Sequence, residues 1–476
     1  MPSSPSVPSG RSVLRNATYR RLFTAQVVAL VGTGLATVAL SLLAYDLAGD
    51  GAPEVLGTAL AVKMIAYVTV APLVTAVADR VPRRVLMAAT DLTRAGVALA
   101  LPLVTEVWQV HVLIFLLQAA SAAFTPAFQS TIPEVLPDER DYTRALSMSR
   151  LAYDLESLFS PALAAALLTV VSYDRLFAGT AAGFLASAAL VTTSALPRPA
   201  PAERTGGAYA RTAFGIRLFR ATPRLRALLA LDLAVAAGGA FVLVDTVAVV
   251  RGHLDRPAGA VSVALGAYGA GSALTALALP RLLRRSVDRA VMLRAAAALP
   301  VVLAAAAGLT ATGPGDWSWP ALLAAWAAIG AASSAVLTPG GRVVRRSTAD
   351  ADLPAAFAAR FSLSHGCWLL TYPLAGWLAP RVGLSVTAAA LGAVALAATA
   401  AAAAAWPVRD PDRLDHVHPD LPPGHPHLAD ARPAGGGWRH GHHYVIDQHH
   451  HRWPGRDGTR RKNPGRPWSG SLRSPR

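Results

Sequence analysis

The chain has 476 residues, of which 53% are hydrophobic and only 15% are charged. Soluble domains carry about 25% charged residues, so this composition indicates a membrane protein and excludes an ordinary soluble domain. The net charge of +16 does not indicate a nucleic-acid-binding protein, because the basic residues lie between apolar stretches and near the C-terminus rather than on one soluble face. The single cysteine, Cys367, excludes an intramolecular disulfide.

The apolar stretches predict an all-α protein that crosses the membrane twelve times. A bilayer-spanning helix needs about 20 mostly apolar residues. The first apolar run is too long for a cleaved signal-peptide core, so we expect it to be the first span, after an N-terminal segment at 1–21. Stretches that meet the length requirement lie at 22–45, 55–78, 85–105, 108–130, 144–170, 174–196, 225–250, 258–280, 288–311, 317–339, 355–380 and 382–405.

The longest interruption divides these spans into two groups of six. It predicts an N-terminal six-helix bundle at 22–196, a linker at 197–224 and a C-terminal six-helix bundle at 225–406. The segments "TPAFQSTIPEVLPDERDYTRA", after the fourth span, and "TPGGRVVRRSTADADLPAAFA", after the tenth, both open with Thr-Pro. Internal repeats of this kind are typical of secondary transporters.

Arginines alternate between the two sides of the predicted bundle. The five loops on one side hold only Arg175, Arg251, Arg256 and Arg381, and every segment on the other side is richer. Because cytoplasmic loops carry the excess of basic residues, we expect a multi-pass protein of the cell membrane. The linker and both termini are then cytoplasmic.

Two segments indicate a family. The stretch "TAVADRVPRRVLMAATDLTRA" (75–95) resembles the signature between the second and third helices of the major facilitator superfamily. The segment 124–168, which opens "FTPAFQSTIPEV", is similar to the exporter branch that contains macrolide-efflux and enterobactin-export proteins. The resemblance covers about residues 10–410 and implies the fold of that superfamily.

The resemblance also implies that the charged loop after the second span is a cytoplasmic gate, closed when the transporter faces outward. A contact made in only one of two states biases their equilibrium by its own free energy. The alternative is that the arginines fix topology and contact anionic lipids, at about 1 kcal/mol each. The residues of this predicted gate are Asp79, Arg80, Arg83 and Arg84.

Charged residues inside spans are functional candidates, because each costs at least about 2.5 kcal/mol at the helix centre. Lys63 in the second span and Asp245 in the seventh lie at comparable depths from the outer side. They predict an ion pair that acts as an outer gate or a substrate contact. The alternative is that Lys63 reaches the interface alone and Asp245 lies near a loop.

Two carboxylates near the middle of the fifth span, Asp154 and Glu156, are candidates for proton coupling. Burial lets a carboxylate take up a proton at physiological pH. The two side chains lie about 200° apart around a helix, so both cannot face one cavity, and we place the coupling on Asp154 ahead of Glu156. His365 in the eleventh span could share the protons, or it could be a satisfied structural histidine.

Other polar residues in the spans have predicted structural or cavity roles. Asp91 and Arg94 lie three apart on one helix face and can pair, which predicts a structural brace behind the gate. The resemblance places the first and fourth helices at the central cavity. It thereby implies that Gln26, Gln118 and Gln129 line that cavity.

The C-terminal segment 407–476 is rich in Pro, Gly, Arg and His, and holds ten of the thirteen histidines. We expect a disordered, cationic cytoplasmic tail that contacts anionic lipids. Histidine-rich tracts can bind Zn or Ni, but metal sites need fixed geometry and usually a companion carboxylate or thiolate. We therefore predict no metal site, with adventitious binding and a metal sensor as the alternatives.

These observations predict a secondary active transporter that exports a drug, macrolide, siderophore or other secondary metabolite by proton antiport. The alternatives are an uncoupled facilitator or importer, and a membrane sensor or assembly protein that acts through its tail. The sequence shows no metal cluster, nucleophile elbow or phosphate-binding glycine loop, so we expect neither an enzyme nor a cofactor. The expected partners are a small-molecule substrate, protons and anionic lipids, with no nucleic acid, and the expected state is a monomer.

Overall fold

The computed structural model describes residues 13–48, 52–78, 81–196, 208–419, 421–422, 424–447, 449–450 and 452–454. The chain forms two compact units, one up to Val408 and one from Arg409 onward. Each unit is described separately below.

The first unit is helical throughout its described length. Short 3₁₀ turns lie at Val13–Arg15, Leu101–Leu103 and Asp350–Asp352, and a π-turn at Ala248–His253 continues α8. The α-helices are α1 (Ala17–Ala48), α2 (Ala52–Ala78), α3 (Arg83–Ala100), α4 (Val107–Val135), α5 (Glu139–Leu168), α6 (Tyr173–Thr192), α7 (Ala208–Ala221), α8 (Pro223–Val247), α9 (Ala258–Leu282), α10 (Asp288–Ala311), α11 (Ser318–Leu337), α12 (Gly340–Arg346) and α13 (Leu353–Ala405).

Within the described residues, nine helical stretches are long and apolar enough to cross a membrane. The last of them contains α13, which is two helices joined at Gly383. The φ of Gly383 is 85°, a left-handed conformation that glycine adopts without a steric penalty. This break falls at the second residue of the predicted span 382–405, close to its boundary with the span 355–380. The prediction of a membrane-spanning helical protein is confirmed, and twelve spans remain a prediction.

The helices of the first unit form two groups that pack against each other. In the N-terminal half, α1 packs on α5 and α6, and α3 packs on α4 and α6, while α2 packs on α4. In the C-terminal half, α8 and α10 pack on α13, and α11 packs on α9 and α10. The halves meet where α5 contacts α9 and where α2 and α4 contact α13.

Small residues set the separation of α9 and α11. A Cβ atom on Gly330 would lie 1.9 Å from the carbonyl oxygen of Tyr268, and one on Gly271 would lie 2.0 Å from that of Ala327. Such close backbone approach is a general way for helices to associate in lipid, where apolar burial gives no driving force. The two glycines therefore fix how the C-terminal half packs.

The second unit contains a three-stranded antiparallel sheet, so the prediction of a disordered tail is wrong for this segment. Its strands are β1 (Arg413–His418), β2 (Arg432–Ala434) and β3 (Gly437–His443), in the order β1-β3-β2. A 3₁₀ turn lies at Pro426–Leu428. Histidines alternate with other residues in β1 and β3, which is the two-residue period of a strand with two different faces. The predicted disorder of 455–476 lies outside the described residues.

Three histidines of the second unit have pKa values that favour the uncharged imidazole. Burial, followed by the neighbouring imidazoles, lowers the pKa of His418, His427 and His440 to about 4. Uncharged imidazoles can pack against one another without electrostatic repulsion, which is consistent with their burial on one face of the sheet.

We expect Gly330→Ala to destabilise the first unit by about 1–3 kcal/mol, because the added methyl group overlaps the α9 backbone and forces the helices apart. Thermal unfolding of the purified protein in detergent measures the loss. Gly308→Ala in α10 is the matched control, since its added Cβ meets no atom within 4 Å. Equal melting temperatures for the two variants would contradict the packing argument.

Candidate functional site

A network of charges joins the two halves at one end of the first unit, here called the α12 end. The turn between α4 and α5, the start of α10, and α12 all lie at this end. Arg342 of α12 forms ion pairs with Glu139 of α5 at 2.5 Å and with Asp288 of α10 at 3.0 Å. Its guanidinium also donates to the hydroxyl of Thr143. One side chain therefore bridges three helices across the interface between the halves.

Arg345 adds a second link at the α12 end. It donates to the carbonyl oxygen of Pro137 at 2.8 Å, and its guanidinium lies 5.4 Å from the ring centroid of Tyr142. A cleft of 320 Å³ opens beside these contacts and is lined by residues of α5, α9 and α12, among them Arg140 and Arg284. The halves are thus tied together around this cleft.

A second contact between the halves lies at the middle of the helices. The carboxylate of Asp154 in α5 forms an ion pair with Arg150 one turn earlier, at 2.9 Å. Ser272 of α9 donates its hydroxyl to Asp154 at 2.7 Å and accepts from Arg150 at 2.9 Å. The Asp154 side chain is 5% exposed. A buried, paired carboxylate thus contacts both halves.

A group of polar and aromatic side chains, here called the central cluster, is formed by residues of the N-terminal half together with His365 of α13. Tyr67 of α2 donates to the Gln118 amide oxygen at 2.9 Å, and its ring lies 4.7 Å from that of His365. The Lys63 ammonium lies 5.7 Å from the Tyr67 ring centroid and interacts electrostatically with Glu156. The members of the central cluster are Lys63, Tyr67, Gln118, Tyr153, Glu156 and His365.

The α5 helix presents different faces to these two sites. Asp154 contacts α9, whereas Glu156 interacts with Lys63 of α2. Tyr153 lies one turn before Glu156 and hydrogen-bonds to Gln26 of α1, which also accepts from Ser149 at 3.0 Å. The two carboxylates therefore lie in separate environments, in keeping with their spacing along the helix.

The predicted brace residues form a buried ion pair inside α3. Asp91 accepts from Arg94 and also from the hydroxyl of Ser187 in α6, at 2.7 Å. The Arg94 guanidinium lies 4.5 Å and 4.6 Å from the ring centroids of Phe124 and Phe184. These contacts tie α3 to α4 and α6.

The predicted gate is only partly described. Asp79 and Arg80 lie outside the described residues. Arg83 is 6% exposed and forms an ion pair with Glu134, near the end of α4, at 2.7 Å, while Arg84 is exposed. Glu134 precedes Pro137, which accepts from Arg345, by three residues. The described part of the loop therefore contacts the segment that leads into the α12 end.

The predicted Lys63–Asp245 pair is absent from the contacts of the described residues. Lys63 interacts with Glu156 and Tyr67 instead, and the buried Asp245 carboxylate has one oxygen without a hydrogen-bond partner in the described structure.

His365 contacts Tyr67 as well as the carbonyl oxygen of Phe361, at 2.7 Å, so it faces the central cluster. Gln129 is half-buried in α4.

Sequence reasoning missed several residues that complete these sites. Arg150 lies one turn before Asp154, and this spacing could have revealed the pair. Ser272, Tyr67 and Tyr153 carry no comparable signal, because single hydroxyl groups in apolar helices are common and their partners depend on which helices face each other. Arg342 lies in an arginine-rich segment, and the composition of such a segment indicates only the side of the membrane on which it lies.

Comparison with known sequences identifies related proteins. Residues 22–319 match the family described as the Major Facilitator Superfamily. An uncharacterized MFS-type transporter, YfiS, of Bacillus subtilis (strain 168) is 26% identical over 193 residues, which are 40% of this chain. Macrolide efflux protein A of Streptococcus pyogenes is 24% identical over 185 residues, or 38% of this chain. Each match covers 45% of the relative, so the chain spans less than half the length of either.

Solved structures with the same fold cover most of the chain. The human organic anion transporter MFSD10 (TETRAN) aligns with a TM-score of 0.64 and 14% identity, over 82% of this chain and 99% of that one. The transporter FucP in its outward conformation aligns with a TM-score of 0.62 and 12% identity, over the same shares. At these identities the likeness establishes the fold alone.

We expect Arg342→Gln to loosen the contact between the halves at the α12 end, because the bridge from α12 to Glu139 and Thr143 loses its charge. The measurement is the alkylation rate of a cysteine introduced at Ser147, which lines a cleft between α5 and α9, in a Cys367→Ser background. The alkylation rate should rise about fivefold or more, because typical coupling between two sites in a protein changes an equilibrium by at least about fivefold.

Arg140→Gln serves as the control for this variant. Arg140 is an exposed arginine next to Glu139 in α5 and lines the 320 Å³ cleft that Arg342 also lines, so its substitution removes an equal charge. Alkylation that rises equally in both variants would show that general electrostatics, and not the Arg342 bridge, hold this end closed.

Proposed function

Because the chain belongs to the major facilitator superfamily, we propose that it is a secondary active transporter that exports small organic compounds by proton antiport. In alternating access, two halves rock about a site near the membrane midplane. The proposed substrates are drugs, macrolides, siderophores or other secondary metabolites, and the proposed unit is a monomer in the cell membrane. Energy then comes from the proton gradient.

The proposed topology is twelve spans with both termini cytoplasmic. Nine helical stretches qualify by length and hydropathy. Division of α13 at Gly383 adds one more, and the 27-residue α2 and 30-residue α5 add two. The arginine distribution then supports placing the α12 end in the cytoplasm. On this assignment, the structure represents a conformation that is closed toward the cytoplasm.

The observation that carries the proposal is the contact of Asp154 with both halves. Its carboxylate pairs with Arg150 in its own helix and accepts a hydrogen bond from Ser272 in the other half. A buried carboxylate that is also part of the interface connects proton binding to the position of the halves. This supports Asp154 as the coupling residue, as the sequence analysis proposed.

The proposed coupling follows from the charge of Asp154. While ionised, the carboxylate attracts Arg150 and Ser272 and stabilises the cytoplasm-closed state. A proton that enters from the outer side removes this charge, and a neutral carboxyl group makes weaker hydrogen bonds than a carboxylate. The halves can then separate at the cytoplasmic end, where the substrate binds and the proton leaves, as antiport requires.

The central cluster is the proposed substrate site. It combines a cation, a carboxylate, an amide and three aromatic rings at the middle of the helices, beside the interface with α13. Rings provide apolar contact area, and the polar groups orient the ligand, as is typical of small-molecule sites. Lys63 and Glu156 have substrate-binding roles in this proposal. The coupling role of Glu156 and His365 is the alternative.

The loop that resembles the superfamily signature supports a gating role in the same scheme. Arg83 pairs with Glu134 and so links the loop between α2 and α3 to the end of α4. The turn that follows carries Pro137 and Glu139, which contact α12. We propose that Asp79, Arg80, Arg83 and Arg84 position this turn, and that Asp91 and Arg94 hold α3 behind it.

The export direction rests on the similarity to macrolide efflux protein A. The alternative is an uncoupled facilitator or importer that uses the same central cluster. The proposed antiporter and this alternative both work by alternating access. They differ in whether a proton gradient drives accumulation of the substrate.

We expect inverted vesicles that contain the protein to accumulate at least one compound from a panel of macrolides, siderophores and cationic dyes when a proton gradient is imposed. Asp154→Asn should lower this accumulation about tenfold or more, because an amide cannot exchange a proton. The same variant should retain exchange of labelled for unlabelled substrate without a gradient. Accumulation and exchange are both measured with labelled substrate.

Asp141→Asn is the matched control, because Asp141 is an aspartate in the first turn of the same helix and its side chain is 40% exposed. Accumulation in the wild type that survives collapse of the gradient would exclude antiport and favour the facilitator. Full gradient-driven accumulation in Asp154→Asn would place the coupling elsewhere, with Glu156 as the next candidate.

A further inference from the structure

Six histidines of the second unit converge on one face of its sheet. Two lie at alternate positions of β1 and two at alternate positions of β3, so their side chains project to the same side. One more lies in the 3₁₀ turn and one in the segment after β3. This histidine cluster consists of His416, His418, His427, His440, His442 and His450.

The spacing of the ring nitrogens matches a coordination shell. His416 Nε2 lies 3.0 Å from His418 Nε2 and 2.9 Å from His450 Nε2, and His427 Nε2 lies 3.2 Å from His418 Nε2. Imidazole nitrogens bound to one ion at about 2.0–2.1 Å are about 2.9 Å apart when adjacent in an octahedron, and about 3.4 Å apart in a tetrahedron. The observed spacing fits the octahedron better.

The other ring nitrogen of several members is already occupied. His416 Nδ1 lies 3.1 Å from the carbonyl oxygen of Leu414, and His442 Nδ1 lies 2.7 Å from that of His443. A carbonyl oxygen can only accept a hydrogen bond, so Nδ1 carries the proton in both rings. Each Nε2 then presents a lone pair. Metal-binding histidines typically donate their second N–H in this way.

His450 has the companion carboxylate that histidine-rich tracts often lack. Its Nδ1 lies 2.9 Å from Asp447 Oδ1, and the backbone N–H groups of His449 and His450 hold the same oxygen at 2.7 and 2.8 Å. The carboxylate can only accept, so Nδ1 of His450 also carries the proton. A carboxylate behind a histidine is a recurrent arrangement around zinc.

These assignments leave lone pairs facing each other. Nε2 of His416 and Nε2 of His450 are 2.9 Å apart, and neither carries the proton in a neutral ring. In the described structure, the buried Nε2 atoms of His440 and His442 also have no hydrogen-bond partner. Buried polar atoms are normally satisfied, and a cation among the nitrogens would satisfy all of them.

We propose that the histidine cluster binds one divalent transition-metal ion of the class that imidazole prefers, with Zn²⁺ and Ni²⁺ as its representatives. All six donors are nitrogens, which excludes the oxygen-seeking Mg²⁺ and Ca²⁺. Asp447 acts as a positioning residue that orients His450. This site is independent of the proposed transport function, since it lies in the separate second unit.

The test uses the full-length protein purified without a polyhistidine tag, stripped with a chelator and titrated with Zn²⁺ against a competing chromophoric chelator. The stripped wild type should bind one Zn²⁺ ion per chain. His442→Ala should weaken Zn²⁺ binding by about 100-fold. Loss of a residue that only supports a ligand costs about 10–100-fold in metal affinity, so loss of a ligand should reach at least the upper end of that range. His443→Ala is the matched control, because it is the adjacent histidine on β3 and its side chain is exposed.

A stripped wild type that binds no Zn²⁺ would overturn the proposal. Equal losses of Zn²⁺ affinity in the His442→Ala and His443→Ala variants would overturn it too. Asp447→Asn should weaken binding by about 10-fold or more while preserving the coordination shell. X-ray absorption of the wild-type zinc complex gives a readout that does not depend on any variant folding. Imidazole nitrogens at about 2.1 Å support the site, and a shell dominated by oxygen refutes it.

Discussion

The ion pair between Asp154 and Arg150, capped by the Ser272 hydroxyl, is the constraint on which the rest of the transporter depends. A buried charge is costly unless it is paired and hydrogen-bonded. Arg150 lies on the same helix, so α5 carries its own neutralising charge in every conformation. Ser272 belongs to the other half, so of the two partners of Asp154 it alone is lost when the halves separate. A hydrogen bond to a charged group contributes about 1.5–3 kcal/mol, which is a suitable size for shifting two states of similar energy.

If Asp154 couples protons and the central cluster binds substrate, as proposed above, coupling and recognition occupy different faces of α5, and the cluster can be specialised for ligands. Glu156 and Tyr153 point toward the N-terminal half, where Lys63 and Tyr67 lie, and Asp154 points toward α9. Substrates can therefore vary without any change in the residues that respond to protons. The Asp91–Arg94 pair supports the same half from behind, where it ties α3 to α6.

The sequence predicted those features that depend on local spacing and failed on those that depend on which helices meet. Apolar length predicted the spans, and a three-residue spacing predicted the Asp91–Arg94 pair. The pairing of Lys63 with Asp245 was wrong for this conformation, because depth alone does not determine which side chains face each other. Ser272 could not be predicted, since an isolated serine has no pattern. In the tail, average composition concealed the two-residue alternation of histidines that builds β1 and β3.

The distribution of partners around Arg342 determines how easily the α12 end opens. Asp288, whose side chain is 2% exposed, lies in the same half as Arg342 and also has Arg346 at 3.8 Å. When the halves part, these three residues travel together, so Asp288 keeps both arginines and Arg342 keeps a carboxylate partner. The partner left behind, Glu139, is 63% exposed and is already hydrated. Separation at this end therefore leaves no buried ion unpaired, and its cost is confined to the contacts between the halves, which include those of Arg342 with Glu139 and of Arg345 with Pro137.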